Sequence, residues 1–270
     1  MPSYTPDVEI VECTQLDDTW RESRAGVITA SMAYEVRKVS GGLDERQSQY
    51  VALVRGGLTA SQATKEAGYQ KAPTSDKIKR AIDGEKVGDY TEAAKNYAMR
   101  LAIERISGQL LAEDQFETYA MRRGKELEPD ARAAHAARIN QDVTECGIVR
   151  TKDGKFGASA DGDAPKLGAE YKCFISPEKL RPILLDGEAD PAAVDQSNMG
   201  MWLHPDQKEF WDLCLYCPAL AAISKDLIVD RHWRNDDYIT DMTADLVAFD
   251  NLVEEYRDRI KGAKTWINSQ

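Results

Sequence analysis

Phe156-Gly-Ala-Ser159-Ala-Asp161-Gly162-Asp163, followed by Ala169-Glu170-Tyr171-Lys172-Cys173, is the stretch whose reading decides the fold. Two short runs of strand-forming residues bracket Ala164-Pro-Lys-Leu-Gly168. Pro and Gly there mark a five-residue turn, so the spacing predicts a β-hairpin. Side chains alternate faces along a strand, which puts Glu170 and Lys172 on one face and Tyr171 on the other. Antiparallel pairing would bring Asp161 to the same edge. Two carboxylates and an ammonium would then converge. Such a point suits a hard cation such as Mg²⁺, which takes oxygen ligands and keeps several waters. A neighbouring Lys can orient or deprotonate one of those waters. The plainer reading of the same residues is a surface hairpin whose Glu–Lys pair contributes little.

The chain has 270 residues, 42% of them hydrophobic and 30% charged, enough to bury a full core. Its apolar runs are far shorter than the ~20 residues that a membrane helix needs. The start, Met-Pro-Ser-Tyr-Thr-Pro-Asp, lacks the basic and apolar regions of a signal peptide, so a cytoplasmic protein is expected. The five cysteines at 13, 146, 173, 214 and 217 and the three histidines at 135, 204 and 232 lack zinc-site spacing. They read as reduced structural thiols and scattered imidazoles. A net charge of −11 argues against indiscriminate DNA binding. It leaves open a nuclease that concentrates acid at its site and keeps its bases on an inner wall.

Along the chain, residues 1–19 read as a lead-in with little pattern. The first half of Trp20 to Ser31 is helical in composition and Gly26 breaks the pattern. Thr29 or Ser31 can cap a helix through Val36. Arg24 beside a hydroxyl-capped helix start is one way to hold a phosphate, but on this segment alone a solvated Arg24 in a plain helix–turn–helix start is the better reading. Residues 44–83 form a compact helical unit with helices over 44–55, 60–66 and 76–82. Leu58-Thr-Ala-Ser-Gln-Ala-Thr-Lys-Glu-Ala-Gly-Tyr69 has a helix-turn-helix look, with Lys71, Lys77, Lys79 and Arg80 just beyond it. A helical insertion packed on another surface is the alternative. A long amphipathic helix spans 89–107. Another starts near Thr118 and carries Glu126 and Glu128, with Pro129 predicting a kink or a fresh first turn. Glu128, just before that break, is a candidate third carboxylate and Glu126 a weaker one, a choice the residues alone leave open. Strands follow at 145–150, 210–218 and 227–233, with helices at 192–202 and 236–261. The class is α/β (α+β), built on a mixed or mainly antiparallel sheet.

Together these segments resemble the lambda-type phage exonuclease (YqaJ-like) family of the PD-(D/E)xK nucleases. The resemblance covers most of residues 15–260, with 43–88 standing apart as an insertion. Five segments carry it in order: Trp20…Arg24…Gly-Val-Ile-Thr-Ala-Ser31, Gly124-Lys-Glu-Leu-Glu128-Pro-Asp-Ala-Arg132, Ala158-Ser159-Ala-Asp161-Gly162, Glu170-Tyr-Lys172-Cys173, and Gln196 six residues before Trp202. The family's proline before the aspartate is Ala160 here, a second glutamine is Asn198, and Tyr216-Cys217-Pro218 stands for Tyr-Asp-Pro.

The resemblance implies a single nuclease domain over 1–270 with a restriction-endonuclease-like core, its central mixed sheet flanked by helices. It implies that Asp161, Glu170 and the backbone carbonyl of Tyr171 bind Mg²⁺, with Mn²⁺ as a substitute and two ions in all. Glu128 would face the second ion or the water, Lys172 would position or activate that water, and Gln196 would steady the site. Arg24, Ser31 and Ser159 match the family's pocket for a terminal 5′-phosphate. The implied activity is 5′→3′ digestion of one strand of linear duplex DNA to mononucleotides, leaving 3′ tails for recombination by strand annealing. A homotrimeric ring, a single-strand-annealing partner and a phage or prophage origin in a bacterial cytoplasm come with it. The rival readings are a PD-(D/E)xK endonuclease, and a DNA-end-binding regulator that uses residues 44–83 beside an idle nuclease core.

Overall fold

The computed structural model describes residues 6–14, 17–111, 119–173, 177–187 and 190–263. The chain divides into two compact units, residues 1–36 with 96–270, and residues 37–95. In the first unit β1 (Val8–Val11), α1 (Asp18–Ser23), β2 (Ile28–Thr29), a 3-10 turn (Ala30–Met32) and α2 (Ala33–Arg37) lead to the second. That unit holds β3 (Val39–Ser40), α3 (Glu45–Arg55), α4 (Ala60–Glu66), α5 (Asp76–Ile82) and β4 (Asp89–Tyr90). The chain then runs through α6 (Glu92–Ser107), α7 (Tyr119–Ile139), β5 (Ile148–Thr151), β6 (Phe156–Ser159), β7 (Gly162–Ala164) and β8 (Leu167–Cys173). After these come α8 (Pro177–Arg181) with a π-helical turn, α9 (Pro191–Leu203), β9 (Phe210–Tyr216), β10 (Leu227–Trp233) and α10 (Asp236–Gly262).

The first unit is mixed α/β with two four-stranded sheets, ordered β1-β5-β6-β2 and β10-β9-β8-β7. Each combines antiparallel pairs with one parallel pair, β2 with β6 and β8 with β9. A parallel pair needs a long crossover, and here α9 supplies it between β8 and β9. The crossover helix covers one face of β8 and α7 covers the other. Leu167, Ala169 and Tyr171 point toward α7, in a cluster with Ala131, Cys214 and Leu227. Glu170 and Lys172 therefore point toward the α9 side. On that side Ala193 packs with Leu213 and Leu215. The ring of Trp211 lies so close to Gly168 and Gly200 that an added Cβ would come within 2.3 and 2.4 Å of it.

The predicted hairpin differs in two respects. Its turn is only Pro165-Lys166, because Ala164 pairs with Leu167 and Gly162 with Ala169. Phe156–Ser159 belongs to the other sheet, paired with β5 and β2. Asp161 sits in the short bend where the chain passes from one sheet to the other. The lead-in, read as patternless, contains β1, an edge strand antiparallel to β5. Four half-exposed residues carry little alternation to read. Thr29 precedes the 3-10 turn without a side-chain capping bond. Helix α7 runs on through Pro129. A proline inside a helix costs about 3 kcal/mol. Packing of Leu127, Ala131 and His135, all buried at i, i+4 and i+8, holds the helix to the sheet there. The predicted start near Thr118 lies outside the described residues.

The second unit closes at its neck, where Val39 pairs with Tyr90 and Ser40 with Asp89. Its helices pack around Tyr50, Val51, Ala63, Ala67, Ile78 and Ala81. Asp44 with Gln47 and Thr59 with Gln62 form capping boxes that start α3 one residue later than read, with Asp44 as its cap, and α4 as read.

Because Trp211 is buried and wedged between the two glycines, neither site has room for a methyl group. Gly168→Ala and Gly200→Ala should each lower stability in urea unfolding by about 1–3 kcal/mol. A loss under about 0.5 kcal/mol at both would show that the ring yields.

Candidate active site

Three short-range facts fix Asp161. Its N–H donates to the Ala169 carbonyl at 3.0 Å, its own carbonyl accepts from Arg132 Nε at 3.0 Å, and its Oδ2 accepts the Tyr171 N–H at 2.9 Å. The third bond ties the carboxylate to the strand that carries Glu170 and Lys172. Lys172 Nζ donates to Glu170 Oε1 at 2.6 Å. Glu170 Oε2 is buried and has no hydrogen-bond partner among the described residues. A carboxylate oxygen in that condition is costly unless something positive completes it.

Asp161 and Glu170 line a cavity of about 230 Å³ together with Gln196, Ser159, Ser31 and Arg24. A second cavity of about 190 Å³ is lined by Glu128, Arg132, Glu145 and Asp161. Asp161 and Lys125 line both. Glu128 is thus brought to the neighbouring space, where its Oε1 accepts from Arg132 at 2.8 Å. Glu126 is exposed and bonded to Arg123 at 2.8 Å, so the two helical glutamates differ in placement.

Burial, then the charges of Glu170 and Glu128, push the Asp161 carboxyl well above its ordinary range, against the pull of the Tyr171 N–H and Lys172. Burial also raises Glu128, with Arg132 opposing it and Glu170 adding to it. For Lys172 burial favours the neutral amine, but Glu170, by charge and hydrogen bond, and Asp161 outweigh it and the pKa is raised. The site gathers more negative charge than it neutralises.

At the other end of the cavity the Arg24 guanidinium lies 4.2 Å from the centre of the Trp20 ring. Burial is the largest influence on it and lowers its pKa. Among the described residues no carboxylate forms an ion pair with it. Trp20 Nε1 also donates to Ser159 Oγ at 3.4 Å, and that hydroxyl lies 3.4 Å from the Gly147 carbonyl. Ser31 Oγ is 3.3 Å from Thr29 Oγ1. A guanidinium with no carboxylate ion pair among the described residues, and two hydroxyls lining the same cavity, suit an anion.

Sequence reasoning assigned no role to Trp20, Lys125 or Arg132. Trp20 lies in the same segment as Arg24, and Lys125 precedes Glu128 by three positions on one helix, so spacing alone could have flagged both. A buried chain behind the strand was invisible. The Tyr171 hydroxyl lies 3.1 Å from His135 Nδ1, His135 Nε2 lies 3.1 Å from Asp212 Oδ2, and Arg231 makes two 2.8 Å bonds to Asp212. Donation from Nε2 to Asp212 leaves Nδ1 to accept from Tyr171.

No group of three or more His, Cys, Asp or Glu side chains among the described residues forms a metal cage. What the cavity offers is a pair of carboxylates, Asp161 and Glu170 with its orphaned Oε2. It fits a hard cation that retains waters, and does not fit zinc.

The raised Asp161 carboxyl makes a pH prediction. Its folded pKa lies above the unfolded value, so its contribution to the metal-free protein is full below about pH 4 and is lost as pH rises through the folded pKa. Asp161→Asn should therefore be more stable than the parent at neutral pH without added metal, with the difference vanishing toward pH 3. Paired thermal melts in EDTA across pH 3–8 check this, and a less stable variant at pH 7 would contradict it.

The sequence profile of the YqaJ-like viral recombinase domain matches residues 19–181. An alkaline exonuclease from Laribacter hongkongensis superposes with a TM-score of 0.63 at 21% identity, covering 91% of this chain and 97% of that one. The same exonuclease in complex with dAMP gives 0.62 at 22%, with the same coverage. A phage-related exonuclease from Haemophilus somnus gives 0.53 at 15%, covering 87% and 95%. Comparison with curated proteins returns no match. The chain shares the fold of these exonucleases, and its profile match over residues 19–181 makes it a member of the YqaJ-like viral recombinase family.

Proposed function

We propose that the protein is a divalent-metal-dependent deoxyribonuclease that digests one strand of linear duplex DNA from its 5′ end. Mononucleotides are released and a 3′ single-stranded tail is left for recombination by annealing. The observation that carries this reading is the orphaned, buried Glu170 Oε2 beside Asp161, in one cavity with Arg24, Ser31 and Ser159. Family membership supports the nuclease class, and the dAMP complex of the alkaline exonuclease supports a mononucleotide product.

Asp161, Glu170 and the Tyr171 carbonyl would hold Mg²⁺ or Mn²⁺, with Glu128 available to a second ion from the adjoining cavity. When bound, the ions supply charge neutralisation at the scissile phosphate and acidify water. Lys172, held protonated by Glu170, donates a hydrogen bond that orients the attacking water rather than acting as a base. Gln196, from the crossover helix, steadies the water and phosphate by hydrogen bonds. Arg24 clamps a terminal 5′-phosphate with charge-assisted bonds, and the Ser31 and Ser159 hydroxyls complete the pocket. A strand end satisfies that pocket and a continuous strand does not, so the pocket sets the polarity. A ring of three subunits enclosing the duplex would let a chain of net charge −11 stay on DNA, and a single-strand-annealing protein would take up the tail.

End-labelled linear duplex should be digested with Mg²⁺ and left intact in EDTA, and a covalently closed circle should survive both; cutting of the circle would move the assignment to an endonuclease. Lys172→Ala should lower the rate about 10²–10³-fold, as for loss of one positioned hydrogen-bond donor, while duplex binding in Ca²⁺ persists. An active variant would remove Lys172 from the mechanism. Arg24→Ala should mainly erase the preference for 5′-phosphorylated over 5′-hydroxyl ends; equal loss on both would point to general damage.

A further inference from the structure

The unit over residues 37–95 takes no part in the carboxylate site, and its charge differs from that of the rest of the chain. It carries eleven Lys and Arg against eight Asp and Glu, a net of +3, so the remainder of the −11 chain carries −14. The whole excess falls within residues 65–80, where five bases meet two acids. That segment is the end of α4, the connection, and α5.

Two cations of the unit are structural. Arg46 Nε donates to the Ala67 carbonyl at 2.8 Å and stacks 4.1 Å from the Tyr69 ring, and Lys77 Nζ donates to the Gly42 carbonyl at 2.9 Å. Tyr69 also meets Tyr50 of α3 edge to face at 6.0 Å, so the connection is fixed to the unit's own core. Lys65, Lys71, Lys79 and Arg80 remain on the surface. Lys65 and Lys71 are exposed and form no ion pair among the described residues. Lys79 pairs with Asp76 and Arg80 with Glu85, all with more than half of the side chain in solvent. Pairs of that kind contribute little and exchange readily for a stronger anion.

The apolar surface points away from a protein partner. Val39, at the neck, is the one exposed large hydrophobic residue of the unit among the described residues. A docking face for protein would expose aromatic or aliphatic anchors. What the unit offers is two short helices, α4 and α5, joined by residues 67–75 and carrying local positive charge.

We propose that the exposed basic segment over residues 65–80, through Lys65, Lys71, Lys79 and Arg80, binds the phosphate backbone of duplex DNA. It gives the chain a hold on the duplex that does not depend on an end. The inference goes beyond the nuclease reading, since it concerns a different surface and stands even if the carboxylate site is idle.

The test uses the full chain and a dumbbell duplex, closed by hairpin loops at both ends, in EDTA. Binding is followed by fluorescence anisotropy over a salt series. The parent should bind with an affinity that falls steeply with salt. Changing Lys65, Lys71, Lys79 and Arg80 together to Gln should weaken binding by about tenfold or more near 0.1 M salt, and flatten the log–log slope by about 0.9 for each phosphate no longer neutralised. A variant with Lys65→Arg, Lys71→Arg and Lys79→Arg should keep both, and thermal melts should show all three proteins equally folded. Unchanged affinity and slope in the Gln variant, or no dumbbell binding by the parent, would overturn the proposal and leave a protein-docking role for the unit. A chain that binds the dumbbell yet digests no linear duplex would count against the nuclease reading alone.

Discussion

The hydrogen bond from the Tyr171 N–H to Asp161 Oδ2 is the contact on which the site depends. It exists because the β7–β8 register sets Gly162 against Ala169. That pairing leaves Asp161 one residue outside the ladder, opposite the strand position that bears Glu170. A slip of one residue would turn Glu170 and Lys172 to the α7 side and bury them among Ala131, Cys214 and Leu227. The two-residue turn Pro165-Lys166 and the parallel pairing of β8 with β9 both resist that slip.

The cost of this arrangement is electrostatic. Asp161 and Glu170 are buried, Glu128 is half-buried, and one Glu170 oxygen has nothing among the described residues to bond to. The surrounding structure offsets part of it. Arg132 bonds Glu128 and the Asp161 carbonyl, Lys172 bonds Glu170, and the reverse face of β8 is pinned through Tyr171, His135 and Asp212. Helices on both sides of the strand exclude water and raise the stakes of every charge left unpaired. Such stored cost is expected where a cation or a phosphate is to be received.

Much of this was legible in the chain. Strand alternation alone put Glu170 and Lys172 on one face with Tyr171 on the other, and the helices read over 44–55, 60–66 and 76–82 match α3, α4 and α5 to within a residue. The resemblance brought Asp161, Glu170, Gln196, Ser159, Ser31 and Arg24 into one set, and they line one cavity. What escaped depends on tertiary context. β1 is a short edge strand with no clear period, Pro129 is overridden by packing of its helix, and the first strand of the supposed hairpin joins a different sheet. The Tyr171–His135–Asp212–Arg231 chain joins residues that are remote in sequence, and no local pattern announces it. Glu128 shows the same limit, since its helix was readable but its place in the adjoining cavity was not.

The central claim is that the Asp161–Glu170 pair is completed by a hard cation. Calorimetric titration of Mn²⁺ into the parent and into Glu170→Gln tests it without any turnover. The account predicts saturable binding and a metal-dependent rise in melting temperature for the parent, both lost in the variant. Equal binding by the two proteins would place the ion elsewhere and contradict the account.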